Sequence, residues 1–138
     1  WENNVFVNYT GGAAIINTLV NDNNPFLERI IGISSIAGLR GRKSNFMYGS
    51  AKAGFHQYLF GLKQELKNSN IVVQAVTPGF VNTKMTKDIP KNKLANSAEQ
   101  VAQSIISNRK SFEVYPNYFW WCLSKIIKYA PEFIISKL

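Results

Sequence analysis

Cysteine and histidine are nearly absent from the sequence: Cys122 and His56 each stand alone. One thiol closes no internal disulfide, which excludes a disulfide scaffold and suits a reducing, cytoplasmic setting. The stretch Gly32-Ile33-Ser34-Ser35-Ile36 starts like a hydrolase nucleophile elbow, but isoleucine stands where the second glycine belongs. A Ser-His-Asp hydrolase would also need His56 beside that serine with a carboxylate behind it, and nothing in the sequence supports this. His56 is instead expected at a helix surface or a subunit contact. Long apolar runs are lacking too: none reaches the ~18 residues of a membrane span, and no charged-then-apolar signal opens the chain. Glycine is missing where a phosphate loop would need it. Thr10-Gly11-Gly12 is followed by Ala14 and Ile16, and no apolar strand precedes it. Acidic residues are few, 8 against 16 Lys and Arg, for a net charge of +8. That excess points to an anionic partner: a nucleotide, a phosphate substrate or a lipid headgroup. The basic residues are spread along the chain without a recognised nucleic-acid module, so no nucleic acid is expected. No metal is expected either.

What is present reads as one domain over residues 1–138. Apolar residues make up 46% of it, enough for a real core. Val5, Ala13, Ile16, Leu19 and Val20 give a mostly apolar helix up to Asn21, broken by Asn21-Asp-Asn-Asn-Pro25. Arg29 to Ser34 reads as a strand buried on both faces. Asn45 to about Lys67 reads as a helix with Phe55, Leu59, Leu62 and Leu66 at helical spacing. Ala51, Ala53 and Gly54 keep one face small enough for another helix to approach. Ile71 to Val76 is a second buried strand, rich in β-branched residues. Ser97-Ala-Glu-Gln100 fits the start of a helix ending near Asn108, and Ser111 to Tyr115 a third short strand. Strands alternating with helices imply an α/β fold.

The chemistry concentrates between Ser34 and Lys52. Tyr48 and Lys52 are four apart on a helix and share one face. A phenol, with an ordinary pKa near ~10, becomes a useful acid if that value is pulled down, and an ammonium one turn away is expected to do so. The Ser35 hydroxyl, converging on the same point, could hold a carbonyl oxygen while Tyr48 protonates it. These residues read as a site for reducing a ketone or oxidising an alcohol. Tyr-x-x-x-Lys alone is a weak signal; its company strengthens it. Ser35 lies 13 residues before Tyr48, Asn8 lies 27 before Ser35, and Pro78-Gly79 follows the second strand.

That combination resembles the short-chain dehydrogenase/reductase family over nearly the whole chain. Arg42-Lys-Ser-Asn-Phe-Met-Tyr-Gly-Ser-Ala-Lys-Ala-Gly54 and Thr77-Pro-Gly-Phe-Val-Asn-Thr-Lys-Met-Thr86 look closest to the decaprenylphosphoryl-2-keto-erythro-pentose reductase branch. The resemblance implies four catalytic residues. Ser35 holds the carbonyl oxygen, Tyr48 supplies the proton, and Lys52 lowers the tyrosine pKa and bonds the nicotinamide ribose. Asn8 distorts its helix and links the lysine to water. Tyr48, Lys52, Pro78, Gly79, Val81 and Thr83 are the implied cofactor-binding residues, the last four cupping the nicotinamide. The cofactor is NAD(P), NADP slightly favoured. The substrate would be a small-molecule or lipid-linked sugar ketone. A homo-oligomer would form through the first helix and the Tyr48 helix; a heteromer with an oxidase partner is the alternative.

A Rossmann-type oxidoreductase also needs a glycine-rich turn for the pyrophosphate, absent here. The expected architecture is therefore the C-terminal portion of a doubly wound parallel sheet, its glycine-rich half lying before Trp1, with no nicotinamide binding by this portion alone. Thr83 to Asn96, carrying Lys84, Lys87, Lys91 and Lys93, reads as a basic lid. Residues 117–138 form an amphipathic, aromatic, basic tail. It could pack on its own sheet or a partner, or lie at the cytoplasmic face of a membrane. The rival reading is a non-catalytic interaction or dimerisation module that keeps the fold without binding nucleotide.

Overall fold

The computed structural model describes residues 1–22, 24–86 and 94–135. The chain opens with α1 (Glu2–Val5), which continues through a π-helical turn (Phe6–Thr10) into α2 (Gly11–Asn21). Then follow β1 (Arg29–Ile33), a 3-10 turn (Ile36–Gly38), α3 (Phe46–Glu65) and β2 (Val72–Val76). A 3-10 turn (Lys84–Thr86), α4 (Ala98–Ser107), β3 (Glu113–Val114), α5 (Tyr118–Tyr129) and α6 (Glu132–Ile135) complete the described elements. The three strands form one parallel sheet in the order β1-β2-β3, with Ile30 opposite Val73, Gly32 opposite Ala75, and Val76 opposite Val114. Each parallel pair is joined through a helix, as parallel pairing requires.

One face of the sheet is closed by α2 and α3. Ile16, Phe55 and Leu59 pack against Ile30, Val73 and Ala75. The apolar spacing read along the Tyr48 helix is this contact face. Its small-residue stretch admits a neighbour too, since Tyr9 of the π turn lies against Gly54.

The other face corrects the expectation of a strand buried on both sides. Ile30 and Gly32 are buried, whereas Ile31 and Ile33 are 39% and 46% exposed. What covers this face near its start is polar. Arg29 Nε donates to Gln74 Oε1 at 2.6 Å, and its Nη2 donates to the Ile105 and Asn108 carbonyls at 2.7 and 3.1 Å. Gln74, fully buried, donates in turn to the Asn108 and Ser111 carbonyls at 2.7 and 2.8 Å. Two side chains thus satisfy the loose carbonyls at the end of α4 and tie it to β1 and β2.

The starts of α4 and α5 are capped by side chains. Ser97 Oγ accepts from the Gln100 amide at 3.2 Å, and Gln100 Oε1 accepts from the Ser97 amide at 2.9 Å, the reciprocal box expected there. Asn117 Oδ1 accepts from the Trp120 amide at 3.1 Å and starts α5. The packing of α5 answers part of the question posed by the tail. Trp120 and Ile127 are buried against Ile36 in a second apolar cluster, while Tyr118, Trp121, Ile126 and Tyr129 face outward. Trp120 is therefore a core residue, unavailable to any outside surface. His56 is likewise less superficial than expected: its Nε2 lies 3.6 Å from Glu113 Oε1, and its ring meets Phe112 edge-on.

Candidate active site

The carboxyl ends of β1 and β2 open onto a cleft of about 480 Å³, where ligands bind in open α/β sheets. Asn8, Ser35, Tyr48, Lys52, Pro78, Gly79, Val81 and Thr83, the full set of candidate residues, line it together. Four stretches of chain far apart in sequence meet there.

Ser34 and Ser35 have separate tasks. Ser34 extends the ladder, its amide donating to the Val76 carbonyl at 2.7 Å, and its side chain is buried. Ser35 caps the 3-10 turn: its Oγ accepts from the Ala37 amide at 3.1 Å. A hydroxyl held as acceptor on one side keeps its own proton free for the cleft. Two close backbone approaches set the distance between this turn and α3. A Cβ on Gly38 would come within 2.7 Å of the Ala53 amide nitrogen, and one on Gly49 within 2.7 Å of the Ala37 carbonyl oxygen. Only glycine at both points lets the turn rest directly on the helix, and that brings Ser35 to Tyr48.

Burial raises the Tyr48 phenol above its ordinary pKa, and the hydrogen bond with Ser35 pulls it down by less. This differs from the expected depression by Lys52. The Lys52 ammonium donates to the Ile33 carbonyl at 2.8 Å and stands 5.9 Å from the centre of the tyrosine ring. Burial also lowers the Lys52 pKa. In this arrangement the lysine is anchored to the end of β1, and the phenol keeps its proton at neutral pH.

Asn8 sits in the π turn, its Nδ2 donating to the Asn4 carbonyl at 3.1 Å. The expected helix distortion is present, since a π turn inserts a residue into the helical ladder. Its side chain lines the same cleft as Lys52, and no direct bond joins the two among the described hydrogen bonds.

The opposite wall follows β2. The Ile36 amide donates to the Pro78 carbonyl at 3.1 Å, which closes the base of the cleft. Gly79 has a reason that the sequence did not show: a Cβ there would come within 2.2 Å of the Trp120 ring. The flat surface this glycine accommodates belongs to the chain's own α5. Beyond it, Thr86 Oγ1 donates to the Val81 carbonyl at 2.6 Å and accepts from the Thr83 amide at 3.0 Å, so the turn after Thr83 folds back on the wall. The Asn82 amide donates to the Asn96 carbonyl, leading the chain to α4. Half of the expected lid, with Lys87, Lys91 and Lys93, lies outside the described residues. Asn45, Phe80, Thr86, Ala98 and Val101 also line the cleft; the sequence offered no chemical reason to single them out, and the fold brings them there. Of the basic residues between Ser35 and Tyr48, Arg42 alone lines the cleft, while Arg40 bonds the Ala130 carbonyl and Lys43 is exposed.

The short chain dehydrogenase family profile matches residues 1–94. The 3-oxoacyl-[acyl-carrier-protein] reductase of Chlamydia trachomatis is 44% identical over 63 residues, 46% of this chain and 25% of that protein. The enzyme of the same name from Aquifex aeolicus is 33% identical over 102 residues, 73% of this chain and 41% of its own length. Among solved structures, a short chain dehydrogenase from Burkholderia cenocepacia in complex with NADP superposes with a TM-score of 0.81 at 18% identity. That match covers 94% of this chain and 56% of the other, a likeness of fold. The chain thus spans less than half the length of these curated relatives. With a family profile over two thirds of its residues, and with the α/β parallel sheet such a profile implies, the chain belongs to the short-chain dehydrogenase family.

Proposed function

We propose that the protein is a nicotinamide-dependent reductase that interconverts a ketone and a secondary alcohol. One observation carries this reading: Ser35, Tyr48, Lys52 and Asn8 line a single cleft with the Pro78–Thr83 wall. The cleft fits a nicotinamide riboside. Ile33, Ile36, Phe80 and Val101 offer apolar surface to a planar ring, with Lys52 and Thr83 as polar contacts, in a volume usual for small-molecule sites. Lys52 would hold the ribose, and Pro78, Gly79, Val81 and Thr83 the nicotinamide. When bound, the cofactor supplies the hydride. The Ser35 hydroxyl donates to the substrate carbonyl oxygen and holds it beside Tyr48. As that oxygen gains negative charge, the Tyr48 phenol gives it a proton. Burial, by raising the phenol pKa, keeps that proton in place until the transfer. Lys52, its ammonium 5.9 Å from the ring centre, supports the phenolate that remains, and Asn8 would link the lysine to water.

The test uses the full-length protein with NADPH or NADH and acetoacetyl-CoA, whose 3-oxo group matches the substrates in the relatives' names. Oxidation of the nicotinamide is followed by absorbance. Turnover that collapses in Tyr48→Phe supports the reading. Turnover retained in that variant sinks it.

The finer reading is a ketone borne on a lipid phosphate, and one observation favours it. The outer side of α5 presents Tyr118, Trp121, Ile126 and Tyr129 beside Lys125 and Lys128, the composition of an interfacial helix. Full-length protein should then float with anionic vesicles, less so as salt rises, and Trp121→Ser should weaken the binding. Absence of flotation by the wild type removes this reading and leaves the reductase. Pairing with a second copy through α2 and α3 belongs to the same proposal. Exposed Phe6, Ile15 and Phe60 support it, and light scattering tests it.

A further inference from the structure

Among the described residues lining the cleft, Lys52 and Arg42 are the cations, and none is a carboxylate. Lys52 is held by the Ile33 carbonyl. Arg42 has no such partner among the described residues. Its Nε is buried without a hydrogen bond, and neither ion pair among the described residues includes it. Its neighbours Lys43 and Ser44 are exposed, whereas Arg42 is half-buried and turned inward. A buried guanidinium N–H without an acceptor is costly, and arginine cannot lower that cost by losing its proton.

We infer that Arg42 receives an oxyanion, carboxylate or phosphate, carried by the same molecule as the ketone. A planar fork of N–H donors suits either group, and bidentate contact would fix the direction of the substrate as well as retain it. With one end held at Arg42, the carbonyl is presented to Ser35 and Tyr48, and the site selects anionic over neutral ketones. This rests on the reductase reading and adds a substrate class to it.

The experiment compares full-length wild type, Arg42→Met and Arg42→Lys on paired substrates. Acetoacetate against its ethyl ester reports a carboxylate, and dihydroxyacetone phosphate against dihydroxyacetone reports a phosphate. Wild type should prefer the anionic member of at least one pair. Arg42→Met should reduce that preference, as a ratio of kcat/KM, by about tenfold or more, with Arg42→Lys retaining part of it. The pair affected names the group. A wild type without preference, a ratio unmoved by Arg42→Met, or a change confined to the nicotinamide KM would overturn the inference. If the wild type reduces no ketone, the reductase reading fails, and Arg42 is judged by calorimetric titration with 3-hydroxybutyrate and glycerol 3-phosphate. Binding lost in Arg42→Met upholds the anion site, and no binding to the wild type overturns it.

Discussion

The two walls of the cleft are built on different principles. The wall formed by β1, the Ile36–Gly38 turn and α3 presents functional side chains: Ser35, Tyr48 and Lys52. The wall formed after β2 presents backbone and apolar surface, and its shape depends on Trp120, packed behind Gly79 from a helix more than forty residues further on. Chemistry and shape are thus assigned to opposite sides. The first wall should tolerate loss of a functional atom without unfolding, and the second should not tolerate loss of packing.

Trp120→Ala attacks the second wall most strongly. Removing a fully buried indole should destabilise the full-length protein by about 3–5 kcal/mol in urea unfolding and raise the nicotinamide KM. An unchanged unfolding midpoint would erase the distinction between the walls. Tyr48→Phe is the counterpart on the first wall: turnover falls by at least ~10²-fold, equivalent to about 2.7 kcal/mol of barrier, while the unfolding midpoint stays near that of the wild type. Should stability fall with activity, the phenol is part of the packing and the comparison is blunted.

Gly79→Ala sharpens the same contrast with one methyl group. The Cβ would be driven against the Trp120 ring, for a loss of about 1–3 kcal/mol. Pairing it with Trp120→Leu, which makes room, should recover part of that loss; strict additivity in the double variant would show that the two residues do not press on each other.

The smallest effect lies away from both walls, where Glu113 of β3 meets His56 and Lys125. His56 first, then Lys125, hold the Glu113 carboxyl down to about 2, against burial that pushes it up. A depressed carboxyl contributes stability that is fully present above its unfolded value near ~4.5 and is lost as pH falls toward 2. The stability gap between wild type and Glu113→Gln should therefore close progressively over that window. A gap that stays constant down to pH ~2.5 would contradict the assignment.

The sequence by itself determined what depends on short spacing. Tyr48 and Lys52 share a helix face because four residues make about one turn, and the strand–helix alternation follows from hydrophobic period. The Tyr48–Lys52 pair was legible for that reason, as were the capping box at Ser97 and the break at Asn21–Pro25, whereas Ser35, Asn8 and the Pro78–Thr83 segment came from the family resemblance. The tertiary structure alone decided what depends on contacts between distant segments. It left Ile31 and Ile33 open where the apolar run implied burial, and among the described residues Arg29 and Gln74 tie the end of α4 to that face. It placed Trp120 under Gly79, where the tail's pattern had left inward packing and a membrane face both open, turned Arg42 inward while Arg40 went to Ala130, and raised the Tyr48 pKa where the nearby lysine implied a fall. Burial and long-range packing are properties of the assembled chain, and no local pattern of residues contains them.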